Sequence, residues 1–208
     1  MGNDFSSTGE MPAHKVTLAI YYIDKYEVTN ALYKSCVNTG SCQPPHSFRS
    51  GTSDNYYSNP QFDNYPVVSV DWYMAKTFCE WRDARLPTEA EWEKAARGNN
   101  NGNIYPWNPS DCIFMHDQTV TAGCAGGKDP YEVGHYENNK SSYGVYDMPG
   151  NAWEWVSSVY APYPYNSQDG RENSSSPNAR VNRSGWRNWG MPYSSMETVG
   201  FRCAKSVP

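Results

Sequence analysis

Tyr143-Gly-Val-Tyr-Asp147-Met-Pro-Gly150-Asn-Ala152-Trp-Glu154-Trp155 carries more information than any other stretch of this 208-residue chain. Two carboxylates, Asp147 and Glu154, flank a Pro149-Gly150 turn, with two tryptophans close behind. Glycine reaches backbone angles that other residues avoid, so Gly150 is a natural place to aim carbonyl groups inward. A hard cation such as Ca²⁺ takes roughly six to eight oxygens from carboxylates, carbonyls and water. The segment leaves two readings open. One is an ion-binding loop closed from both sides by Asp147 and Glu154. The other is a tight turn leading into a strand, with both acids solvated.

A second segment, Arg85-Leu-Pro-Thr-Glu89-Ala-Glu91-Trp92-Glu93-Lys-Ala-Ala-Arg97-Gly98, reads as a helix. Pro87 sits at its start, Thr88 is a good N-cap, and Glu91 three residues on completes a capping box. Gly98 stands where a C-cap is expected. The pairs Glu89/Glu91 and Glu91/Glu93 fall on different helix faces, so they are expected to be solvated charges rather than an acid/base site. Two more segments precede it and two follow: Tyr21–Asn30, Tyr65–Trp72, Tyr105-Pro-Trp107 and Gly200-Phe-Arg-Cys203.

In order and spacing these motifs resemble the formylglycine-generating enzyme (sulfatase-modifying factor) family, from about Met1 to Ala204. The resemblance implies an α+β domain with a C-type-lectin-like fold, rich in loops and poor in regular secondary structure. It also implies structural Ca²⁺ held by the side chains of Asp147 and Glu154 and the carbonyls of Gly150 and Ala152. The family's first calcium site would fall near residues 112–130, where this chain is rearranged around Cys112 and Cys124. Met1-Gly-Asn-Asp resembles the pattern shortly after the family's first strand, which implies a trimmed N-terminus.

Composition agrees with a loop-rich domain. Aromatics make up 15% of the chain, with 17 Tyr and 8 Trp, against 38% hydrophobic residues overall. Such a core is built from rings. The length suits one domain, residues 1–208, and neither a repeat nor a linker divides it. A net charge of −5 argues against a nucleic-acid footprint, which needs a basic face. No apolar run reaches the length of a membrane span, and no signal peptide is visible.

Along the chain, Val16–Ile23 reads as a strand, and Thr29 or Asn30 caps a helix that carries Ala31, Leu32 and Tyr33. Residues 43–64 and 160–180 read as irregular surface excursions. A helix near 71–83 groups Trp72, Ala75, Phe78 and Trp81 on its apolar side with Cys79, and a terminal strand spans about 198–204. Residues 99–142 read as loops with short strands.

Six cysteines form an even set, which permits several connectivities. Cys36–Cys42 and Cys112–Cys124 are natural local pairs. The family resemblance implies a bridge between Cys79 and Cys203, whose long loop would contribute on the order of 4–5 kcal/mol in the chain-entropy model. A zinc site is disfavoured because no Cys-x-x-Cys is present and the four histidines are dispersed. The pattern favours an oxidising location: extracellular, surface-displayed or virion-associated.

Enzymes of the resembled family act through a cysteine pair on a strand upstream of the Gly-Phe-Arg motif. Here Arg180-Val-Asn-Arg-Ser-Gly-Trp186 runs straight into Arg187-Asn-Trp-Gly-Met-Pro192, and no cysteine lies between Cys124 and Cys203. A thiolate is the nucleophile or metal ligand such chemistry needs, so no catalytic residue is assigned. Ser157, Ser158 and Ser174–Ser176 have no histidine near in sequence, and His116-Asp117 reads as a polar loop dipeptide.

The segment between Asn182 and Thr198 reads instead as a binding face made of Trp186, Asn188, Trp189, Met191, Tyr193, Ser194, Ser195 and Met196. Tyr and Trp give contact area at low entropic cost, while Ser and Asn adapt their hydrogen bonds. The competing reading for Trp186 and Trp189 is core packing in the gap left by the missing strand. The position resembles the variable face of C-type-lectin-fold proteins diversified by retroelements. The chain therefore reads as a non-catalytic protein that binds an unidentified protein or surface ligand. The alternatives are a divergent or degenerate formylglycine-generating oxidase and, third, a carbohydrate-binding lectin, against which no Glu-Pro-Asn or Gln-Pro-Asp triplet is present.

Overall fold

The computed structural model describes residues 1–2, 4, 9–98, 129–135, 137, 140–185 and 187–207. The elements in chain order are β1 (Tyr21–Ile23), α1 (Asn30–Asn38), a 3-10 turn (Pro60–Phe62), α2 (Trp72–Trp81), α3 (Glu89–Arg97), β2 (Trp153–Val159), β3 (Arg180–Arg183), β4 (Arg187–Gly190), β5 (Val199–Phe201) and β6 (Ala204–Ser206). The helices start where side chains satisfy the first free amides. Thr29 accepts from Leu32 N, Asp71 from Met74 N, and Thr88 from Glu91 N within a complete capping box. Gly98 ends α3 at φ 63°, in the region that suits glycine.

Four strands form one sheet in the order β4-β3-β2-β5, with β2/β5 parallel and the other pairs antiparallel. β1 and β6 form a separate antiparallel pair. The main core lies between α1, α2 and the sheet, and Trp72, Phe78, Trp155 and Phe201 anchor it. Tyr33 stacks on Phe78 at 5.4 Å, and Phe201 meets Phe78 edge-on at 5.4 Å. Burial of Phe78 and Phe201 contributes about 1.5–3 kcal/mol each. The buried indoles are satisfied: Trp72 Nε1 donates to Val156 O at 2.8 Å and Trp155 Nε1 to Val70 O at 3.1 Å.

The expected terminal strand is two strands. Arg202 and Cys203 interrupt it, the first buried against Glu154 and the second bridged to Cys79. The expected strand Val16–Ile23 is paired only over Tyr21–Ile23, because β6 offers partners only there. Trp81, expected on the apolar side of α2, is 37% exposed at the helix end. The two excursions are tied down by rings: Tyr56 and Tyr57 in the first and Tyr163 and Tyr165 in the second are buried. Cys36–Cys42 and Cys79–Cys203 are disulfides. The expected Cys112–Cys124 pair lies outside the described residues, as do Tyr105-Pro-Trp107 and His116-Asp117. Among the described residues no helix is long and apolar enough to cross a membrane.

Candidate functional site

β3 and β4 form a hairpin in which Arg183 pairs with Arg187, so only Ser184, Gly185 and Trp186 connect them. No strand intervenes, as the short spacing requires. From β4 the chain crosses the start of α2, where Trp72 N donates to Pro192 O and Ser69 N to Met196 O, both at 3.0 Å. β4 also lies tight against the core. A Cβ at Gly190 would fall 2.7 Å from the Trp155 ring, so only glycine fits without displacing it.

This path decides where the predicted face residues lie. Asn188 is exposed, and its Oδ1 accepts from Trp189 N. Trp189 is 51% exposed, with its ring 6.2 Å from that of Tyr160. Tyr193 is 66% exposed and Met196 is at the surface, while Met191, Ser194 and Ser195 are half-buried. Core packing does not describe Trp189. Trp186 lies outside the described residues. Tyr73 on α2 adds another exposed ring beside Trp72.

Beneath the hairpin is a buried charge cluster that overturns the expectation of solvated helix acids. Glu89, Glu91 and Glu93 are all buried. Glu89 takes Arg187 Nε at 2.6 Å and Nη2 at 3.0 Å, and Tyr163 Oη donates to it at 3.0 Å. Arg183 reaches Glu10 at 2.8 Å and Glu89 and Glu93 at 3.5 Å. Glu91 faces the other way and binds Arg85. Glu89 and Glu93 are four residues apart and share a face, a spacing that marks a common partner. Burial alone would lower the Arg187 pKa, but the Glu89 bonds and charge raise it. Its guanidinium also sits 4.2 Å from the centre of the Tyr160 ring and 4.5 Å from that of Tyr163.

The 147–154 loop forms a second buried cluster. Asp147 and Asn151, not Gly150, hold the positive φ angles, at 63° and 65°. The turn therefore spends backbone strain on side chains that are needed in place. Asp147 Oδ2 accepts from Gly134 N at 2.6 Å, whereas Oδ1 is buried with no hydrogen-bond partner. Glu154 is fully buried between Arg202 (2.6 and 2.7 Å) and Trp92 Nε1 (2.8 Å). Solvated acids are thus excluded for both. Glu27, which the sequence did not single out, accepts from Ala152 N and Asn151 Nδ2.

Three buried carboxylates therefore face one buried guanidinium. Burial, then the charges of Asp147 and Glu154, push the Glu27 pKa well up, and burial raises that of Asp147. Among the described residues no group of three or more His, Cys, Asp or Glu side chains is arranged to hold a metal. A set of two carboxylates and two carbonyls is a different donor set. The orphaned Asp147 oxygen and the excess negative charge fit a hard cation. Glu154 would have to share its oxygens with Arg202.

The fold and these two clusters define a class, and comparison with known proteins identifies it. The sulfatase-modifying factor enzyme 1-like domain matches residues 1–207, and the chain belongs to that family. The "Inactive C-alpha-formylglycine-generating enzyme 2" of Mus musculus is 36% identical over 158 residues, which cover 68% of this chain and 49% of that protein. The chain thus spans about half the length of that relative. The "Formylglycine-generating enzyme" of Mus musculus is 28% identical over 270 residues, 98% of this chain and 72% of that one. Among solved structures, Treponema denticola variable protein 1 superposes with a TM-score of 0.72 at 22% identity, covering 99% of this chain and 91% of that one. The fold is the C-type-lectin-like fold of this family, and its relatives include one named an enzyme and one named inactive.

Proposed function

We propose that this chain is a non-catalytic binding protein of the retroelement-diversified type, with its contact surface on Asn188, Trp189, Met191, Tyr193, Ser194, Ser195 and Met196. The observation that carries this reading is the three-residue β3–β4 connection. It leaves no room for a cysteine-bearing strand and turns the following residues to the surface. None of the seven described residues is buried. Exposed Trp and Tyr on a base held by Trp155, the Cys79–Cys203 bridge and the Arg187–Glu89 pair can change partners without changing the core. Likeness to a protein titled a variable protein supports the same reading through the fold. The partner is a protein or other surface ligand.

In this reading structural Ca²⁺ sits at Asp147, Gly150, Ala152 and Glu154 and neutralises the buried acid excess. It orders the loop that feeds β2 and has no chemical role. The Cys112–Cys124 pair completes the bridges, and the chain acts in an oxidising setting outside the cytoplasm.

The coding locus tests the function. A neighbouring reverse transcriptase and a near-copy of the segment encoding 180–203 are expected, with differences between clones concentrated at the face residues. An intact locus with neither, together with copper-dependent aldehyde formation on cysteine peptides by the purified protein, would overturn the reading in favour of the oxidase.

A further inference from the structure

Glu27 lies in the turn between β1 and α1, and backbone bonds beside it fix its place. Val28 N donates to Phe201 O at 2.9 Å, and Val67 N to Val28 O at 2.8 Å. The residue is 3% exposed, and its side chain reaches the 147–154 loop. There Ala152 N donates to Oε1 at 3.2 Å and Asn151 Nδ2 to Oε2 at 3.1 Å, over separations of 125 and 124 residues. Asn151 is one of the two loop residues held at positive φ, so Glu27 ties down a strained position.

The charge around Glu27 does not balance. The strongest charges acting on it are those of Asp147, Glu154 and Arg202, and all four side chains are buried. Arg202 is committed to Glu154, with Nε on Oε2 at 2.7 Å and Nη2 on Oε1 at 2.6 Å, and Trp92 Nε1 donates to Glu154 as well. The other two acids have no guanidinium of their own. Glu27 and Asp147 lie within hydrogen-bonding reach of each other, yet two ionised carboxylates have no hydrogen to share. Asp147 Oδ1 is buried with no donor. Three negative charges and one positive leave two negative charges in the interior, which is the charge that one divalent cation cancels. Buried charge of this kind is tolerated when it is paired or holds a metal.

We propose that Glu27 is a positioning residue of the calcium site: it holds the Asn151–Ala152 end of the loop and supplies the negative charge that Arg202 takes away. The inference rests on the calcium reading above and adds a residue to it. Asp147 and Glu154 alone would match the charge of the ion if Arg202 were absent. With Arg202 in the cluster the ion is one negative charge short, and Glu27 restores it. The same charge is a burden when the ion is gone, because Glu27 then faces Asp147 with no counter-ion. Glu27 therefore stabilises the loaded protein and destabilises the empty one. A carboxylate that served only as a hydrogen-bond acceptor for Ala152 and Asn151 would stabilise both.

Calorimetric titration of the chelator-stripped, disulfide-intact protein with CaCl₂ tests this, together with melting curves in calcium and in chelator. Glu27→Gln keeps the size of the side chain and removes its charge. It should weaken calcium binding about 10–100-fold, the range for residues that orient metal ligands. In chelator it should melt at or above the temperature of the unaltered protein, so the gap between loaded and empty protein narrows. An unaltered protein that binds no calcium overturns the calcium reading itself, and this proposal with it. Calcium binding by the unaltered protein that Glu27→Gln leaves unchanged overturns the proposal alone. So does a Glu27→Gln variant that fails to fold or melts below the unaltered protein in chelator, since that result marks a hydrogen-bond acceptor and nothing more.

Discussion

Replacing Glu89 by alanine should be among the most damaging single changes available to this chain. Glu89 is fully buried, and its carboxylate receives both Arg187 bonds, at 2.6 and 3.0 Å, and the Tyr163 hydroxyl at 3.0 Å. The Arg187 side chain is itself 1% exposed. In Glu89→Ala that guanidinium keeps its charge but loses its counterion inside the protein. Breaking a buried pair in this way costs about 3–5 kcal/mol, a large part of the roughly 5–15 kcal/mol that holds a domain together. Urea unfolding followed by intrinsic fluorescence would read the loss as a lower midpoint at unchanged slope. The paired change Glu89→Leu with Arg187→Met removes both charges at similar volume. It should recover most of the loss, because an apolar pair is often neutral or better than an ionic one. A loss of under about 1 kcal/mol for Glu89→Ala would place the charge in contact with water and refute the argument. A double variant as unstable as the single one would refute it too.

Chelation and Asp147→Ala should lower the melting temperature by similar amounts, and chelating the Asp147→Ala variant should add little. No shift on chelation, with no metal in elemental analysis, would dismiss the calcium site. Reducing Cys79–Cys203 should cost on the order of 4–5 kcal/mol, and thiol titration of the unfolded, unreduced chain should find almost no free thiol. Burial opposes ionisation of Glu93, but the Arg183 and Arg97 charges outweigh it and hold its pKa below the usual value. Its contribution is therefore present above the unfolded carboxylate pKa and is lost as pH falls through the depressed one. Glu93→Gln should flatten the acid side of the stability profile. Tyr193→Ser and Met196→Ser should change stability by no more than about 0.5 kcal/mol while altering ligand binding, and severe unfolding of either would remove those residues from the face.

The helix caps at Thr29 and Thr88, the local Cys36–Cys42 bridge and the missing cysteine strand were all legible in the chain itself. Each depends on residues a few positions apart, where spacing and side-chain type fix the geometry. The family motifs carried the fold by the same route, since their order survives in the sequence. The partners of Glu89, Glu154 and Glu27 were not legible. Arg187 lies 98 residues from Glu89, and Arg202 lies 48 from Glu154. A charge run on a helix looks the same in sequence whether water or an arginine waits opposite. Only the packing of α3 on β3 and β4, and of the Gly-Phe-Arg strand beside β2, brings those arginines into the dry interior, where an acid without a counterion would be too costly. The extent of β1 belongs with them. Val16–Ile23 has strand chemistry throughout, but a strand is made by its partner, and the tertiary structure supplies one only from Tyr21 onward.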